Sequence, residues 1–295
     1  MAAELFALLK SALNVDDLRL LRIDRQTPVP VLDKIVKYEA VHRIQGSRDL
    51  DRRLAEDRRC YAFVHPALPD EPLIFTEVAL THGMSSNARA LLDPASPLAD
   101  PSTWTCATFY SISNCHEGLK GVSLGNALIG QVADDLAHAF PGLETFATLS
   151  PVPGFRSWLT DLALPGTGGA LSANAALALD RLERTGRAGE AETSELQRQL
   201  VPLCAYYLLR VKRSGEPADP VARFHLRNGA CLERINWLSD TSVAGMRRAA
   251  GLMVNYLYRC TNPRRRYDAS TRARQVNASR RVERLAERAS ALFSH

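Results

Sequence analysis

Apolar and polar residues recur with two different periods along the chain, and the periods separate helical from strand-like stretches. In the front part, the spacing is typical of short helices over Met1–Asn14 and Val31–His42, and of a charged helix over Ser47–Arg59. Asp16–Ile23 continues the apolar pattern, which a proline-rich break ends at Thr27–Pro30. We therefore predict a helical front end that is too small to form a core of its own.

The pattern then changes to runs rich in β-branched and aromatic residues, which predict strands. Cys60–His65 and Leu73–Thr81 flank the turn Pro66–Pro72 and predict a hairpin. The Asn228-Gly229 pair predicts a second one, because Asn-Gly favours tight hairpin turns. The further predicted strands are Trp104–Ser113, Thr145–Leu149, Arg223–Leu226, Cys231–Leu238 and Leu252–Tyr258.

Helical spacing returns between and after these strands. The predicted helices are Leu124–Phe140, Phe155–Leu164, most of Ala170–Leu209 and Ser242–Ala250. Strands and helices in this order predict an α+β fold, in which a long helical insertion interrupts a mixed sheet.

Composition excludes several classes of protein. The 295 residues are 46% hydrophobic, as in an ordinary globular protein. No apolar run reaches the roughly 18 residues of a membrane helix, and the first twenty residues do not follow the order of a signal peptide. The six cysteines are scattered without a CxxC pair, which argues against a zinc ribbon, a redox motif or a secreted disulfide scaffold. We expect reduced thiols in a cytoplasmic protein.

Positive charge is concentrated at the end of the chain. The net charge is +5, and the segment from Arg259 onward holds ten arginines against three acids, which leaves −2 for Met1–Tyr258. The globular part therefore need not bind nucleic acid. We expect the tail to be a solvated, partly helical end, with Arg280–Phe293 as its most helical stretch.

A glycine-bearing loop, Glu117–Asn126, joins a predicted strand to a predicted helix. The amides of a helix start attract anions, and glycines let a pyrophosphate approach the backbone. The spacing fits neither GxGxxG nor GxxxxGK[ST]. It is closer to the Arg/Gln-x-x-Gly-x-Gly/Ala loop of the acetyltransferase-like (GNAT) folds, with Lys120 in the first position, Ser123 for the middle glycine and Gly125 last. A plain strand-to-helix turn is the alternative.

Two single residues are candidates for chemistry. Ser150 stands before two prolines and a glycine, in the rigid turn Thr148–Phe155, although a serine there can simply end a strand. His225 alternates with apolar Phe224 and Leu226 in a predicted strand and so faces away from them. A single histidine can equally be structural.

These pieces occur together, and in the same order, in the malonyl-CoA decarboxylase family, which the chain resembles over roughly residues 15–258, most closely in its bacterial form. The segments that carry the resemblance are Arg59–Phe63, Glu71–Leu73, Phe109–Ser113, Gly118–Gly125, Leu149–Phe155, Pro220–Leu226, Arg234–Trp237 and Asn255–Tyr258.

The resemblance implies a GNAT-like catalytic domain over residues 59–295, with a basic tail from residue 259. Residues 1–58 resemble only the last helices of the family's N-terminal helical domain, and the tail matches nothing in the family. The resemblance also implies a homo-oligomer that acts on malonyl-CoA with no metal and no organic cofactor. Membrane binding is not expected, nor is nucleic-acid binding.

The family's site residues carry over position by position. The catalytic residues would be Ser150, His225 and Tyr258. The loop that binds malonyl-CoA would comprise Lys120, Gly121, Val122, Ser123, Leu124, Gly125 and Asn126.

Decarboxylation suits these residue types, because loss of CO2 from a malonyl thioester leaves an enolate that hydrogen-bond donors stabilise. We expect Ser150 to orient the malonyl carboxylate and His225 to protonate the carbanion, although the two could exchange tasks. One alternative is a GNAT-type acyltransferase that uses acetyl-CoA. Another is a regulatory coenzyme A or nucleic-acid binder, which would bind without turnover.

Overall fold

The computed structural model describes residues 14–119, 124–162, 173–185, 189–258 and 278–290. Contacts within the chain divide these residues into two compact units. The first holds the described residues up to Ser85 together with Ala90–Ala147, and the second holds Ser86–Arg89 and the described residues from Thr148 onward. Each unit combines strands with flanking helices, so the predicted α+β class is confirmed.

The first unit is built around the strands β1 (Arg19–Ile23), β2 (Arg58–His65), β3 (Leu68–Thr81), β4 (Cys106–Asn114) and β5 (Thr145–Thr148). Its helices are α1 (Val29–Tyr38), α2 (Ser47–Arg53), α3 (Ala88–Leu92), which begins in the second unit, and α4 (Leu124–Ala139). Short 3-10 turns lie at Val15–Asp17, Pro101–Thr103 and Glu117–Leu119.

Strands β1 to β4 pair in antiparallel fashion, each with the next. Strands β2 and β3 form the predicted hairpin, but the predicted turn Pro66–Pro72 is too long, because β3 already begins at Leu68 and pairs with His65. The prediction of a wholly helical front end is wrong at Arg19–Ile23, which is a strand paired with β2. It is also wrong at Arg58 and Arg59, which begin β2 instead of ending a helix. The division into residues 1–58 and 59–295 stays a prediction, as does the helix over Met1–Asn14, of which residues 1–13 lie outside the described ranges.

Buried ion pairs explain why the helix at Ser47 ends early. The Asp57 carboxylate, 1% exposed, lies 2.7 Å from Arg52 Nη1 and 2.9 Å from Arg58 Nη1. Arg53 Nη1 donates to Glu77 on β3 over 2.6 Å. Tertiary charge pairing therefore overrides local helix propensity here, because each buried charge needs a partner.

The second unit contains the strands β6 (Ser150–Pro151), β7 (Lys212–Arg213), β8 (Glu216–Pro217), β9 (Cys231–Asn236) and β10 (Met253–Tyr258). Its helices are α5 (Phe155–Leu162), α6 (Ala173–Thr185), α7 (Glu190–Arg210), α8 (Pro220–Arg227), α9 (Val243–Ala249) and α10 (Arg280–Ser290). Strand β10 pairs in antiparallel fashion with both β6 and β9. The predicted helical insertion corresponds to α6 and α7.

The second predicted hairpin is wrong. Asn228 is the C-cap of α8, and Gly229 follows with a φ of 75°, a left-handed conformation that glycine adopts without strain. The Asn-Gly pair therefore ends a helix here. The preceding Asp219-Pro220 pair begins that helix, since Asp219 caps it and Pro220 occupies its first turn.

The arginine-rich tail contains the predicted helix, but this helix is not simply solvated. Val282, Ala286 and Ala289 of α10 are fully buried in the second unit, and α10 packs against α7 and β9. A backbone bridge also joins Ala278 to Leu232 of β9. The described part of the tail therefore belongs to the core of this unit. The rest of the tail, including Cys260, lies outside the described residues.

Removing the Val282 side chain should destabilise the second unit. Val282→Ala deletes two buried methyl groups, and we expect the free energy of unfolding to fall by about 2 kcal/mol in urea denaturation. Arg281→Ala, at the exposed neighbouring position, is the matched control and should change it by less than about 0.5 kcal/mol. Equal stability of the two variants would contradict the packed arrangement of α10.

Candidate active site

Ser150 is the first residue of β6, two residues after the end of β5. Its Cα pairs with that of Val254 on β10, which fixes the backbone between the two strands. The Ser150 hydroxyl donates a hydrogen bond to Thr148 Oγ1 over 2.8 Å and is 6% exposed. Thr148 Oγ1 also accepts the backbone N–H of Tyr256 over 3.2 Å. The serine oxygen is thereby held in one orientation within the second unit.

His225 lies in the last turn of α8, so its predicted place on a strand is wrong. The period-2 alternation of Ala222–Leu226 suggested a strand, but the same residues also fit a helix in which Ala222 and His225 share the buried face. The Asp-Pro start and the glycine after the end are the helix signals that outweigh it. His225 is 2% exposed.

The structure brings Ser150, His225 and Tyr258 together. Ser150 Oγ lies 3.1 Å from His225 Nε2, and His225 Nδ1 lies 2.8 Å from the Tyr258 hydroxyl. A continuous chain of hydrogen bonds therefore runs from Thr148 through Ser150 and His225 to Tyr258. All three residues that were predicted as catalytic belong to it.

Aromatic rings surround the imidazole of His225. The ring of Tyr256 stacks on it with centroids 4.5 Å apart, and Phe224 meets it edge-on at 4.9 Å. Burial among these groups lowers the pKa of His225 to about 3, since a desolvated imidazolium is unfavourable. The imidazole is therefore neutral at neutral pH.

Neutrality fixes the direction of the hydrogen bonds. A neutral imidazole donates from one nitrogen and accepts at the other. Because the Ser150 hydroxyl donates to Thr148, its oxygen accepts from His225 Nε2–H, and Nδ1 then accepts the proton of Tyr258. Protons can shift along this chain in one direction.

A buried carboxylate joins the serine turn to the histidine helix. Asp219 caps α8 by accepting the backbone N–H groups of Val221 and Ala222. Its second oxygen accepts the N–H of Gly154, over 3.2 Å, in the turn after Ser150. A side chain on Gly154 would clash with the hydroxyl of Tyr207, so this turn needs glycine.

The sequence interpretation missed Thr148, Asp219 and Tyr256. Each had a signal: Thr148 is two residues from Ser150 and so on the same strand face, and Tyr256 stands in the same relation to Tyr258. Asp219 precedes a proline, which is typical of a helix N-cap.

The predicted substrate loop is only partly described. Lys120, Gly121, Val122 and Ser123 lie outside the described residues. Leu124, Gly125 and Asn126 form the first turn of α4 in the first unit, with Leu124 fully buried. Their role in binding coenzyme A stays a prediction.

The described residues contain neither a metal-binding cluster nor a membrane-spanning helix. Within the described ranges, no three His, Cys, Asp or Glu side chains gather closely enough to hold a metal ion. In those same ranges, no helix combines the length and the apolar composition that a membrane span requires. The five cysteines in this part of the chain are all buried.

The low pKa of His225 should make the protein sensitive to acid. The folded imidazole stays neutral down to about pH 3, whereas the unfolded one gains a proton near its ordinary pKa of 6.5. The unfolded state therefore binds more protons below pH 6.5, and stability falls as pH falls. Between pH 7.5 and 5, we expect wild type to lose about 2 kcal/mol more unfolding free energy than His225→Asn.

Denaturation curves at the two pH values measure this difference. His82→Asn, at an exposed histidine, is the control and should keep the wild-type dependence on pH. The same pH dependence in wild type and His225→Asn would show that His225 is not buried in its neutral form.

Comparison with known proteins gives the family. The model of the malonyl-CoA decarboxylase C-terminal domain matches residues 17–293, which includes most of the tail that the sequence interpretation left unmatched. The mitochondrial malonyl-CoA decarboxylase of Anser anser anser is 40% identical over 263 residues, covering 82% of this chain and 52% of that protein. That of Rattus norvegicus is 40% identical over 264 residues, covering 82% and 53%. The chain thus spans about half the length of these curated relatives.

Similarity to solved structures points to the same family. The crystal structure of malonyl-CoA decarboxylase from Agrobacterium vitis matches with a TM-score of 0.88 and 46% identity, covering 96% of this chain and 70% of that one. The enzyme from Rhodopseudomonas palustris matches with a TM-score of 0.84 and 44% identity, covering 95% and 69%. The chain belongs to the malonyl-CoA decarboxylase family.

Proposed function

We propose that the chain decarboxylates malonyl-CoA to acetyl-CoA and CO2. The observation that carries this proposal is the buried hydrogen-bond chain from Thr148 through Ser150 and His225 to Tyr258. It supplies a hydroxyl that can contact an anion, a neutral imidazole that can give up a proton, and a phenol that can replace it. Relatives that are 40% identical carry the name of this activity.

The reaction needs one bond broken and one proton delivered. The bond between C2 and the carboxylate of the malonyl group breaks, and CO2 leaves without the electron pair. The pair passes into the thioester carbonyl and gives an enolate, so the substrate itself serves as the electron sink. Protonation of C2 then completes acetyl-CoA. We propose that no metal and no organic cofactor takes part.

We assign the contact with the malonyl carboxylate to Ser150 and the protonation of C2 to His225. Ser150 is more exposed than His225, 6% against 2%, and its hydroxyl can turn from Thr148 towards an incoming anion. With the Ser150 hydroxyl bound to the carboxylate, Nε2–H of His225 lies beside the malonyl group and can pass to the enolate carbon. Proton transfer from a positioned acid typically contributes 10²–10⁴-fold to a rate.

Tyr258 makes the neutral imidazole an adequate acid. A neutral imidazole gives up its Nε2 proton readily only if its other nitrogen gains one. Nδ1 faces the Tyr258 hydroxyl over 2.8 Å, so the phenol proton can move to Nδ1 as Nε2 loses its own. Solvent then restores the phenol. Tyr258 therefore belongs with the catalytic pair.

The remaining parts of the function are proposed from the family resemblance and from the sequence composition. We propose that Lys120–Asn126 hold the coenzyme A moiety, since a glycine-bearing helix start suits a pyrophosphate. A homo-oligomer and a cytoplasmic location remain predictions, and so does the lack of nucleic-acid and membrane partners.

Ser150 and His225 should act as one unit. Ser150→Ala and His225→Asn should each lower kcat for acetyl-CoA formation from malonyl-CoA by on the order of 10²–10⁴-fold. The double variant should be little worse than the poorer single one, because residues that act together lose their effect together. Steady-state assays of the three variants and wild type measure this.

Matched controls and the alternative activity belong to the same assay. Ser157→Ala and His82→Asn, both at exposed positions, should keep wild-type kcat. Full activity in folded Ser150→Ala or His225→Asn would refute the catalytic assignment, and strictly additive losses would refute the coupling. Transfer of an acetyl group from acetyl-CoA to an amine, with no CO2 from malonyl-CoA, would establish the acyltransferase instead.

A further inference from the structure

Asp219 combines deep burial with three backbone hydrogen bonds. It has no exposed surface. One carboxylate oxygen accepts the N–H groups of Val221 over 3.0 Å and Ala222 over 2.9 Å, which caps α8. The other accepts the N–H of Gly154 over 3.2 Å. The two oxygens thus bind two segments that are 65 residues apart in sequence.

Each of these segments carries one member of the catalytic pair. Gly154 ends the turn that begins at Ser150, and α8 carries His225. Ser150 and His225 meet through a single hydrogen bond of 3.1 Å, so a small shift of either segment would break it. The link through Asp219 is a second tie between the same two segments.

An N-cap alone does not explain an aspartate at this position. Serine or asparagine caps a helix about as well, without placing a charge in the interior. Burial raises the pKa of Asp219, which shows that its charged form is disfavoured there. A carboxylate has one property that these alternatives lack, since both of its oxygens accept hydrogen bonds.

The turn that contains Gly154 is tightly packed. Gly154 approaches Tyr207 so closely that a Cβ would clash with the tyrosine hydroxyl. Tyr207 belongs to α7 and is 4% exposed. The Gly154 amide therefore has a fixed position, and Asp219 transmits that position to the start of α8.

We propose that Asp219 is a positioning residue that sets the distance between Ser150 and His225 by tying the serine turn to the histidine helix. Its kinetic effect rests on the proposed decarboxylase function, whereas its geometric effect does not. Asp219 holds the two segments through the backbone N–H groups of Gly154, Val221 and Ala222.

Asp219→Asn removes the hydrogen bond to Gly154 but keeps the N-cap of α8. The asparagine oxygen can still accept from Val221 and Ala222, but its NH₂ group faces the Gly154 N–H and cannot accept from it. We expect kcat to fall by on the order of 10- to 100-fold, as a displacement of about 1 Å can cause, with KM within about twofold of wild type. Asp219→Ser, which keeps a cap of one oxygen, is the second variant and should behave alike.

Ser242→Ala is the matched control. Ser242 caps α9 in the same unit by accepting the N–H of Gly245 over 3.0 Å, and it bonds to no residue of the pair. This variant should lose stability but keep the kcat of the folded enzyme. An equal kcat loss in Ser242→Ala would attribute the effect of Asp219 to capping and overturn the proposal.

Combining Asp219→Asn with Ser150→Ala tests whether Asp219 acts through Ser150. In Ser150→Ala, adding Asp219→Asn should lower kcat by less than twofold, because no serine remains to be positioned. The same fold loss in both backgrounds would overturn the proposal. So would unchanged kcat in both Asp219→Asn and Asp219→Ser.

A crystal structure of Asp219→Asn distinguishes this proposal from the function itself. We expect the distance from Ser150 Oγ to His225 Nε2 to lengthen beyond hydrogen-bond range while α8 stays folded. If wild type releases no CO2 from malonyl-CoA but this distance lengthens, the function fails and the positioning role stands. An unchanged distance in the variant overturns the positioning role, whatever the wild-type activity.

Discussion

The imidazole of His225 is almost completely removed from water, so both of its nitrogens must find partners inside the protein. Several elements of the second unit together supply these partners and hold the ring in place. Strand β10 supplies Tyr258 and the stacking ring of Tyr256, the β5–β6 junction supplies Ser150, and α8 aims the ring between them. Removing any one partner leaves a buried polar atom unsatisfied, at a cost of about 1–3 kcal/mol.

The two units bury polar groups in opposite ways. In the first, Arg53 pairs with Glu77 and Arg52 pairs with Asp57, so charge meets charge. At the candidate active site, the buried groups are neutral hydroxyls and a neutral imidazole. The nearby Asp219 carboxylate accepts hydrogen bonds from backbone N–H groups. A neutral chain suits proton movement, because a fixed counter-ion would hold the proton on one atom.

The sequence predicted most elements but not all of their types. The β2–β3 hairpin, β4, α4 and α7 carry strong periodic patterns, and they formed as expected. The helix α8 did not, because its eight residues fit both the strand and the helix period, and the capping signals at Asp219-Pro220 and Gly229 were outweighed by the alternation. Ser150 and His225 were candidates from their local sequence, and the family resemblance gave them catalytic roles and added Tyr258. Thr148 and Asp219 carry local signals, but their bonds to Tyr256 and Gly154, far away in sequence, are visible only in the structure.

The tie between Gly154 and Asp219 has a consequence for changes of chain length. It closes the segment between them at its base, so the pair does not rely on the far end of that segment for its geometry. Closing a longer loop costs little, about 0.6 kcal/mol for each doubling of its length. Insertions or deletions near Gly189, between α6 and α7, should therefore be tolerated as long as the Tyr207 end of α7 stays packed.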